Sequence, residues 1–380
     1  MSGYPKINLT LDSCFAIKRW PRPEEWARVI KEEIGGIRYI EMSTDLDIDP
    51  QFNSEAYRAE WIGEVKRLEE RYGLKVASFF SGYATYRAMG LLNWNADVRD
   101  MLRDNYFKKT VDMAKELGAQ VGNTLHAFSE ELVDDPEKFR AAEAMLSGYL
   151  GEMAVYAQKK GVAFSYEQMY TPNQGWWRID DCERYMRGIY ASAGAPVYTT
   201  IDTAHMAGQA RLVRPSSIML HKAVSEKDPG NMRFPREMLE MIRRGTTVEA
   251  LEEKLDRYAY CFCKKEDGDV YSWLERIACY SPLMHLQQTD GTYSSHRPFT
   301  AKYNAGGIIE PRKVLEAIKR SYDRPEDPAM PPRAKEIYLA FELFFGVTES
   351  AEEILRQVRE SVEYWREVIK EDGGTPDEWL

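Results

Sequence analysis

Four residues stand where strand-like runs give out and carry side chains that could act together. They are Glu167 in Tyr166-Glu167-Gln168-Met169, Asp202 in Asp202-Thr203-Ala204-His205, His285 in His285-Leu286-Gln287-Gln288, and Glu342 directly after Phe341. Three carboxylates and one imidazole form a donor set suited to a hard or borderline divalent cation. Each alone has a second reading, a polar residue in a hydrogen-bonded layer inside the fold. Together, on four successive strands, they favour a shared centre. Glu41, His126, His205, His296 and Arg297 fall at or just beyond strand ends as well. The chain has five histidines, and only His221 lies outside this set, in a long connecting segment where it reads as a surface residue.

The elements that must position these residues alternate strand and helix. Strand-like runs cover residues 7–13, 37–42, 75–80, 120–125, 162–168, 197–202, 283–288 and 336–341. In the first, Ile7, Leu9 and Leu11 share one face and Asn8, Thr10 and Asp12 the other. Helices are expected from about Pro23 to Gly35, from Ser54 to Tyr72, over 98–117, from Pro136 to Lys160, and over 180–193 and 351–371. The fourth of these is the clearest: Asp135 is a plausible N-cap, Pro136 sits at the first helical position, and Gly161 stops the helix. After Asp202 the rhythm breaks, and residues 235–244, 247–260 and 271–279 read as extra helices. A polar tail follows the last helix. Repeated βα units at this spacing predict an α/β fold, a (β/α)8 TIM barrel. The chain is expected to form one domain over 1–380, with 207–280 as an inserted, largely helical segment. An open doubly wound sheet is the alternative, and no GxGxxG follows the first strand to support a dinucleotide-binding version.

Composition bounds the partners. Lys and Arg number 51 against 61 Asp and Glu, a formal charge of -10. A phosphate-backbone reader needs basic surface, so no nucleic acid is expected as a partner. No apolar run reaches the ~18 residues of a membrane span, and the N-terminal residues lack signal-peptide character. The five cysteines read as reduced thiols, which together with these absences predicts a cytoplasmic protein without a membrane partner.

Glu…Asp-x-x-His…His…Glu across strands five to eight resembles the xylose isomerase-like barrel superfamily. Ile201-Asp202-Thr203-Ala204-His205 is similar to its strand-six motif. His285-Leu286, His296-Arg297-Pro298 and Asn304-Ala305-Gly306-Gly307-Ile308-Ile309 resemble its strand-seven region and glycine turn. The resemblance runs from Ile7 to about Glu371. It implies one divalent metal, Mn²⁺ foremost with Mg²⁺, Co²⁺ or Zn²⁺ as alternatives, held by Glu167, Asp202, His285 and Glu342. It implies His205 and Arg297 as contacts to substrate oxygens, and Glu167 and Glu342 as the acid/base pair. His126, Glu41 and His296 are further candidate substrate contacts. The expected homo-oligomer, a dimer or tetramer, rests on the resemblance alone.

The chemistry so implied is proton transfer next to a ketone, through a metal-stabilised enediolate, in a sugar or sugar phosphate. Return of the proton to the opposite face gives an epimer, and return to the neighbouring carbon gives an aldose–ketose isomerisation. A dehydratase of the inosose type shares the first step, and a non-catalytic sugar-binding barrel is the reading from another class. The superfamily's DNA-repair endonuclease branch needs further histidines and an aspartate; here Ser294 and Ser295 precede His296, and the third strand ends without a histidine. The run from Gln287 to Thr300 resembles the branch acting on short ketose phosphates such as erythrulose phosphate. Tyr83, Tyr170, Trp176 and Trp177 could wall a sugar or belong to the core. The arginines and lysine of the insertion (Arg211, Arg214, Lys222, Arg233, Arg236, Arg243, Arg244) could be a solvated face or reach a phosphate.

Overall fold

The computed structural model describes residues 3–16, 19–82, 90–124 and 127–380. Eight parallel strands close into one barrel in chain order. They are β1 (Lys6–Asp12), β2 (Tyr39–Ser43), β3 (Lys75–Ser81), β4 (Gln120–Asn123), β5 (Phe164–Glu167), β6 (Tyr198–Asp202), β7 (Leu283–Leu286) and β8 (Glu336–Phe341). β8 closes on β1 with Ile7 opposite Ile337 and Leu11 opposite Phe341. Both faces of the sheet are buried, which is why the strands read as nearly continuous apolar runs. Ile7, Leu9 and Leu11 pack in the core beneath the helices. On the other face of β1, Asn8 donates to Glu336 at 2.7 Å and Asp12 reaches the top of the barrel.

The barrel interior is tight. Phe80, Leu283 and Ala340 form a small apolar cluster there. Gly122 on β4 is required beside it: a Cβ at this position would stand 2.7 Å from the Phe80 ring. Phe80 in turn meets His285 edge-on, with ring centroids 4.4 Å apart.

Most helices follow the expected signals. Asp135 accepts hydrogen bonds from the amides of Glu137 and Lys138, and the helix runs Pro136–Lys160 with Gly161 in the left-handed conformation. Ser54 caps Glu55–Tyr72 in the same way. Two helices carry wider turns than periodicity suggests: Val29–Ile34 and Leu102–Phe107 are π-helical. Helix Pro311–Asp323 between β7 and β8 was absent from the sequence expectation, although Pro311 opens it and Val314, Leu315, Ile318 and Tyr322 recur at helical spacing. Helix Ser217–Glu226 was absent too. It buries only Leu220 and Ala223, too little apolar periodicity to stand out. Together with Arg236–Arg244 and Val248–Arg257 it occupies the stretch between β6 and β7.

The polar C-terminal tail is bound to β1. The Ile7 amide donates to the Gly374 carbonyl at 2.9 Å, and the Leu9 amide donates to Asp372 at 3.0 Å. Among the described residues, no helix is long and apolar enough to cross a membrane.

Candidate metal centre and its cavity

Glu167, Asp202 and His285 stand at or near the carboxyl ends of β5, β6 and β7, and Glu342 follows the last residue of β8. Each offers a ligand atom, and these atoms all lie within 4.8 Å of one another. Parallel strands in register bring the four together: Asp202 pairs with His285, and Leu286 with Phe341 next to Glu342.

His285 is the hub. Its Nδ1 lies 2.8 Å from Glu167 Oε1 and 3.2 Å from Glu342 Oε2. Its Nε2 lies 2.9 Å from Glu41 Oε1, and the other Glu41 oxygen accepts from the Ser78 hydroxyl at 2.6 Å. Glu41 and His285 are both fully buried. Burial alone would lower the His285 pKa. The carboxylates of Glu342, Glu41 and Glu167 outweigh it and hold the ring well above the ordinary imidazole range. Burial likewise pushes Glu167 up, against the pull of His205 and His285. For Glu342 burial is overcome by His285 and His296, which hold its carboxyl well below the usual range.

Asp202 is fixed by backbone and side chain. Oδ1 accepts from the amides of Ala204 and His205 at 2.7 and 3.1 Å, and the Gln287 amide nitrogen lies 2.9 and 2.8 Å from its two oxygens. The Gln287 carbonyl oxygen accepts from the His296 backbone amide at 2.5 Å. That bond helps hold His296 in the left-handed backbone region, φ 50°, which non-glycine residues seldom occupy. The His296 ring stacks on Phe344 with centroids 4.0 Å apart, and its Nδ1 lies 3.3 Å from Glu342. Burial opposes protonation of His296, but Glu342 raises its pKa to about 9. His205 places Nδ1 2.8 Å from the Gln168 carbonyl, Nε2 3.6 Å from Asp202 and its ring against Tyr170.

These donors fit a divalent cation. Glu342 Oε2 is buried and has no well-formed hydrogen bond although two imidazole nitrogens approach it. His285 presents Nδ1 to the carboxylates while Glu41 faces its Nε2, the arrangement by which an outer carboxylate orients a ligand histidine. Three carboxylates and one imidazole leave Mn²⁺, Mg²⁺, Co²⁺ and Zn²⁺ all chemically admissible.

A cavity of about 300 Å³ opens onto the centre. Glu167, Glu342, His205 and His296 line it together with Asp12, Cys14, Ser43, Asp45, Phe80, Gly82 and Phe344. The remaining candidates lie elsewhere. Glu41 sits behind His285 and does not line the cavity. Arg297 does not line it either: it donates to the Tyr293 hydroxyl at 2.8 Å and lies 3.4 Å from Asp290. Trp176 and Trp177 are buried in the core. None of the seven basic residues of the insertion lines the cavity; Arg214, Arg233, Arg236 and Arg244 form surface ion pairs instead. His126 and Tyr83 lie outside the described residues. Sequence reasoning passed over Asp12, Asp45 and Phe344 in the cavity and the brace supplied by Gln287. A polar residue ending β1 was the one available signal for Asp12.

A model of the xylose isomerase-like TIM barrel family matches residues 28–240. The chain is 22% identical over 375 residues to D-erythrulose 1-phosphate 3-epimerase of Brucella abortus (strain 2308), covering 98% of each protein. Among solved structures, a protein of Rhodospirillum rubrum ATCC 11170 assigned as a xylose isomerase superposes with a TM-score of 0.66 at 17% identity, over 95% of this chain and 99% of that one. D-psicose 3-epimerase, solved in the presence of D-fructose, gives 0.55 at 13% identity, over 97% and 100%. These two share the fold. Epimerases, the activity of the Brucella relative and of the psicose enzyme, are isomerases. With more than half its length matched by the family model, the chain belongs to the xylose isomerase-like TIM barrel family.

Proposed function

We propose that this protein is a divalent-metal-dependent isomerase that epimerises a ketose or ketose phosphate. The observation that carries the reading is the convergence of Glu167, Asp202, His285 and Glu342 within 4.8 Å at the mouth of the barrel, with both glutamates open to a sugar-sized cavity. Glu167, Asp202, His285 and Glu342 would hold the cation, whose charge would acidify the hydrogen on the carbon next to the carbonyl.

The protein's own groups divide the remaining work. One of the two glutamates takes the proton from that carbon, and the electron pair passes to the carbonyl oxygen. The other returns a proton to the opposite face, which inverts the stereocentre and leaves the atoms of the sugar unchanged in number. His205 and His296 both line the cavity, with ring centroids 6.2 Å apart, and would bind the oxygens next to the reacting carbon. Phe80 and Phe344 supply apolar surface there, which limits water around the carbanionic carbon.

The test is deuterium incorporation from D₂O, followed by NMR, into ketoses and ketose phosphates with Mn²⁺ added. The expected result is exchange at one carbon next to the carbonyl, lost on EDTA treatment and restored by metal. Loss of a β-hydroxyl to give an enone or diketone would identify a dehydratase instead. No exchange with any of them, in protein shown to hold metal, would overturn the reading in favour of a binding barrel.

A further inference from the structure

Gln287 stands one residue past the end of β7, fully buried, between Asp202 and the loop that carries His296. Its Nε2 lies 2.9 and 2.8 Å from the two oxygens of Asp202. Its Oε1 accepts from three donors on the loop: the Ser294 hydroxyl at 3.1 Å, the Ser295 amide at 3.1 Å and the His296 amide at 2.5 Å. A carboxylate at one end and three donors at the other leave one orientation for the side-chain amide.

Much of the loop is closed on itself. The Gln288 amide donates to the Arg297 carbonyl at 2.8 Å and shuts its base. Inside it the Thr289 hydroxyl donates to the Tyr293 carbonyl at 2.8 Å, and Asp290 accepts from the Thr292 amide at 3.0 Å. The Gln288 side chain serves another segment, donating to Asn304 at 2.9 Å and to the Ile309 carbonyl at 3.1 Å. His296 is where the loop meets the centre. Its amide is held by Gln287, its carbonyl accepts from the Phe344 amide at 3.1 Å, and its ring Nδ1 lies 3.3 Å from Glu342.

Because Nε2 reaches both oxygens of Asp202, a turn of that carboxylate must move Gln287 or lengthen a contact. Glu167, Asp202 and Glu342 offer ligand atoms within 4.8 Å of one another, and carboxylates so close repel unless a cation offsets them. A cation held among them would fix the Asp202 carboxylate and, through the amide, the backbone of Ser295 and His296. His296 needs that support: at φ 50° a residue with a Cβ persists only where its surroundings hold it. Such coupling is reciprocal, so whatever steadies the loop also favours the cation.

We propose that Gln287 is a positioning residue that couples cation binding at Asp202 to the order of residues 294–296. The proposal rests on the reading of the four-residue cluster as a metal centre. It does not depend on the identity of the sugar.

Hydrogen exchange by mass spectrometry and calorimetric Mn²⁺ titration, both on the full-length protein, test it. In the wild type Mn²⁺ should slow exchange over residues 294–297 at least tenfold. Gln287→Met keeps the length of the side chain and removes both its donor and its acceptor. Without metal its loop should exchange faster than that of the wild type. Mn²⁺ should then slow the loop less than threefold, and Mn²⁺ affinity should fall about tenfold. A residue that merely supported the fold would speed exchange throughout β6 and β7 and leave the response to Mn²⁺ unchanged. Gln287→Asn is one methylene too short to span Asp202 and His296, and it carries the same expectation should the methionine variant fail to fold.

Mn²⁺ bound by the wild type with no change in loop exchange overturns the proposal, as does a variant with wild-type affinity and response. A wild type that binds no divalent cation overturns the metal reading and the coupling together. Coupling observed in a protein that exchanges no ketose hydrogen supports the proposal and refutes the isomerase reading alone.

Discussion

Glu41 Oε1 stands 2.9 Å from Nε2 of His285, and both side chains are sealed from solvent. This pairing sets which imidazole nitrogen faces Glu167, Asp202 and Glu342. Removing it should loosen the metal centre without removing a ligand. Glu41→Ala is expected to weaken Mn²⁺ binding by about 10- to 100-fold. Glu41→Gln should weaken it less, because it keeps a polar oxygen facing Nε2 of His285. Metal titration followed by calorimetry checks both. Unchanged affinity in Glu41→Ala would show that His285 needs no outer partner.

The same geometry predicts proton release. His285 has carboxylates at both ring nitrogens and is held protonated well above the ordinary imidazole range. A divalent cation taking Nδ1 must displace that proton. Mn²⁺ binding near neutral pH should therefore release about one proton, and the apparent affinity should weaken by up to about tenfold per unit fall in pH. Calorimetry in buffers of different ionisation enthalpy gives the number directly. Metal binding with no proton released would remove Nδ1 of His285 from the ligand set.

Glu167 and Glu342 flank His285 Nδ1 from different strands and both reach the cavity. If each serves one face of the substrate, their amide variants should fail in complementary ways. Glu167→Gln and Glu342→Gln are each expected to lower turnover by about 10²- to 10⁴-fold with the fold retained. Each should keep solvent exchange with one epimer as substrate and lose it with the other. The two variants should differ in which epimer that is. Metal content must be measured alongside, since both residues belong to the cluster. Turnover within a few-fold of wild type in either variant would refute the pairing.

The strand ends were legible in the sequence because a parallel barrel writes two plain signals. Its strands are short apolar runs, and polar side chains are tolerated where they stop. That is enough to nominate Glu167, Asp202, His285 and Glu342 as a set. Which polar residue backs which was not legible. Glu41 and His285 are 244 positions apart in a chain whose spacing says nothing about who stands behind whom; only closure of the barrel across its axis makes Glu41 the partner of Nε2. Gln287 escaped notice for a similar reason. An amide between two strand-end residues has no distinctive spacing, and its role appears once Asp202 and the strained His296 are seen on either side of it. Arg297 shows the converse. The resemblance implied a substrate contact, while its side chain pairs with Tyr293 and Asp290 and does not line the cavity.

Gly122 should prove intolerant of a side chain. Gly122→Ala places a methyl 2.7 Å from Phe80 and 3.1 Å from Leu283, and the barrel interior offers neither a place to retreat. A loss of about 1–3 kcal/mol is expected. Because Phe80 abuts the His285 ring, metal affinity should fall as well. Urea unfolding of the EDTA-treated variant isolates the packing cost, and metal titration reads the displacement of His285. Wild-type stability would mean that the strands spread to admit the methyl.

Asp47 supplies a pH dependence independent of the metal centre. Burial raises its pKa from 3.8 to about 6, against hydrogen bonds from the Ser13 hydroxyl and the Ser43 amide. The folded protein thus binds this proton more tightly than the unfolded chain. Its contribution to stability is fully present below pH 4 and is lost as pH rises through 6. At neutral pH the loss is about 2 kcal/mol once its partial exposure is allowed for. Asp47→Asn keeps an oxygen to accept from both donors and carries no charge. The variant should match wild type near pH 4 and exceed it increasingly up to pH 7. Urea unfolding at pH 4.5, 6 and 7.5 measures that difference. A stability gap that does not grow with pH would mean that the Asp47 carboxylate is solvated well enough in the folded protein to ionise at its ordinary value.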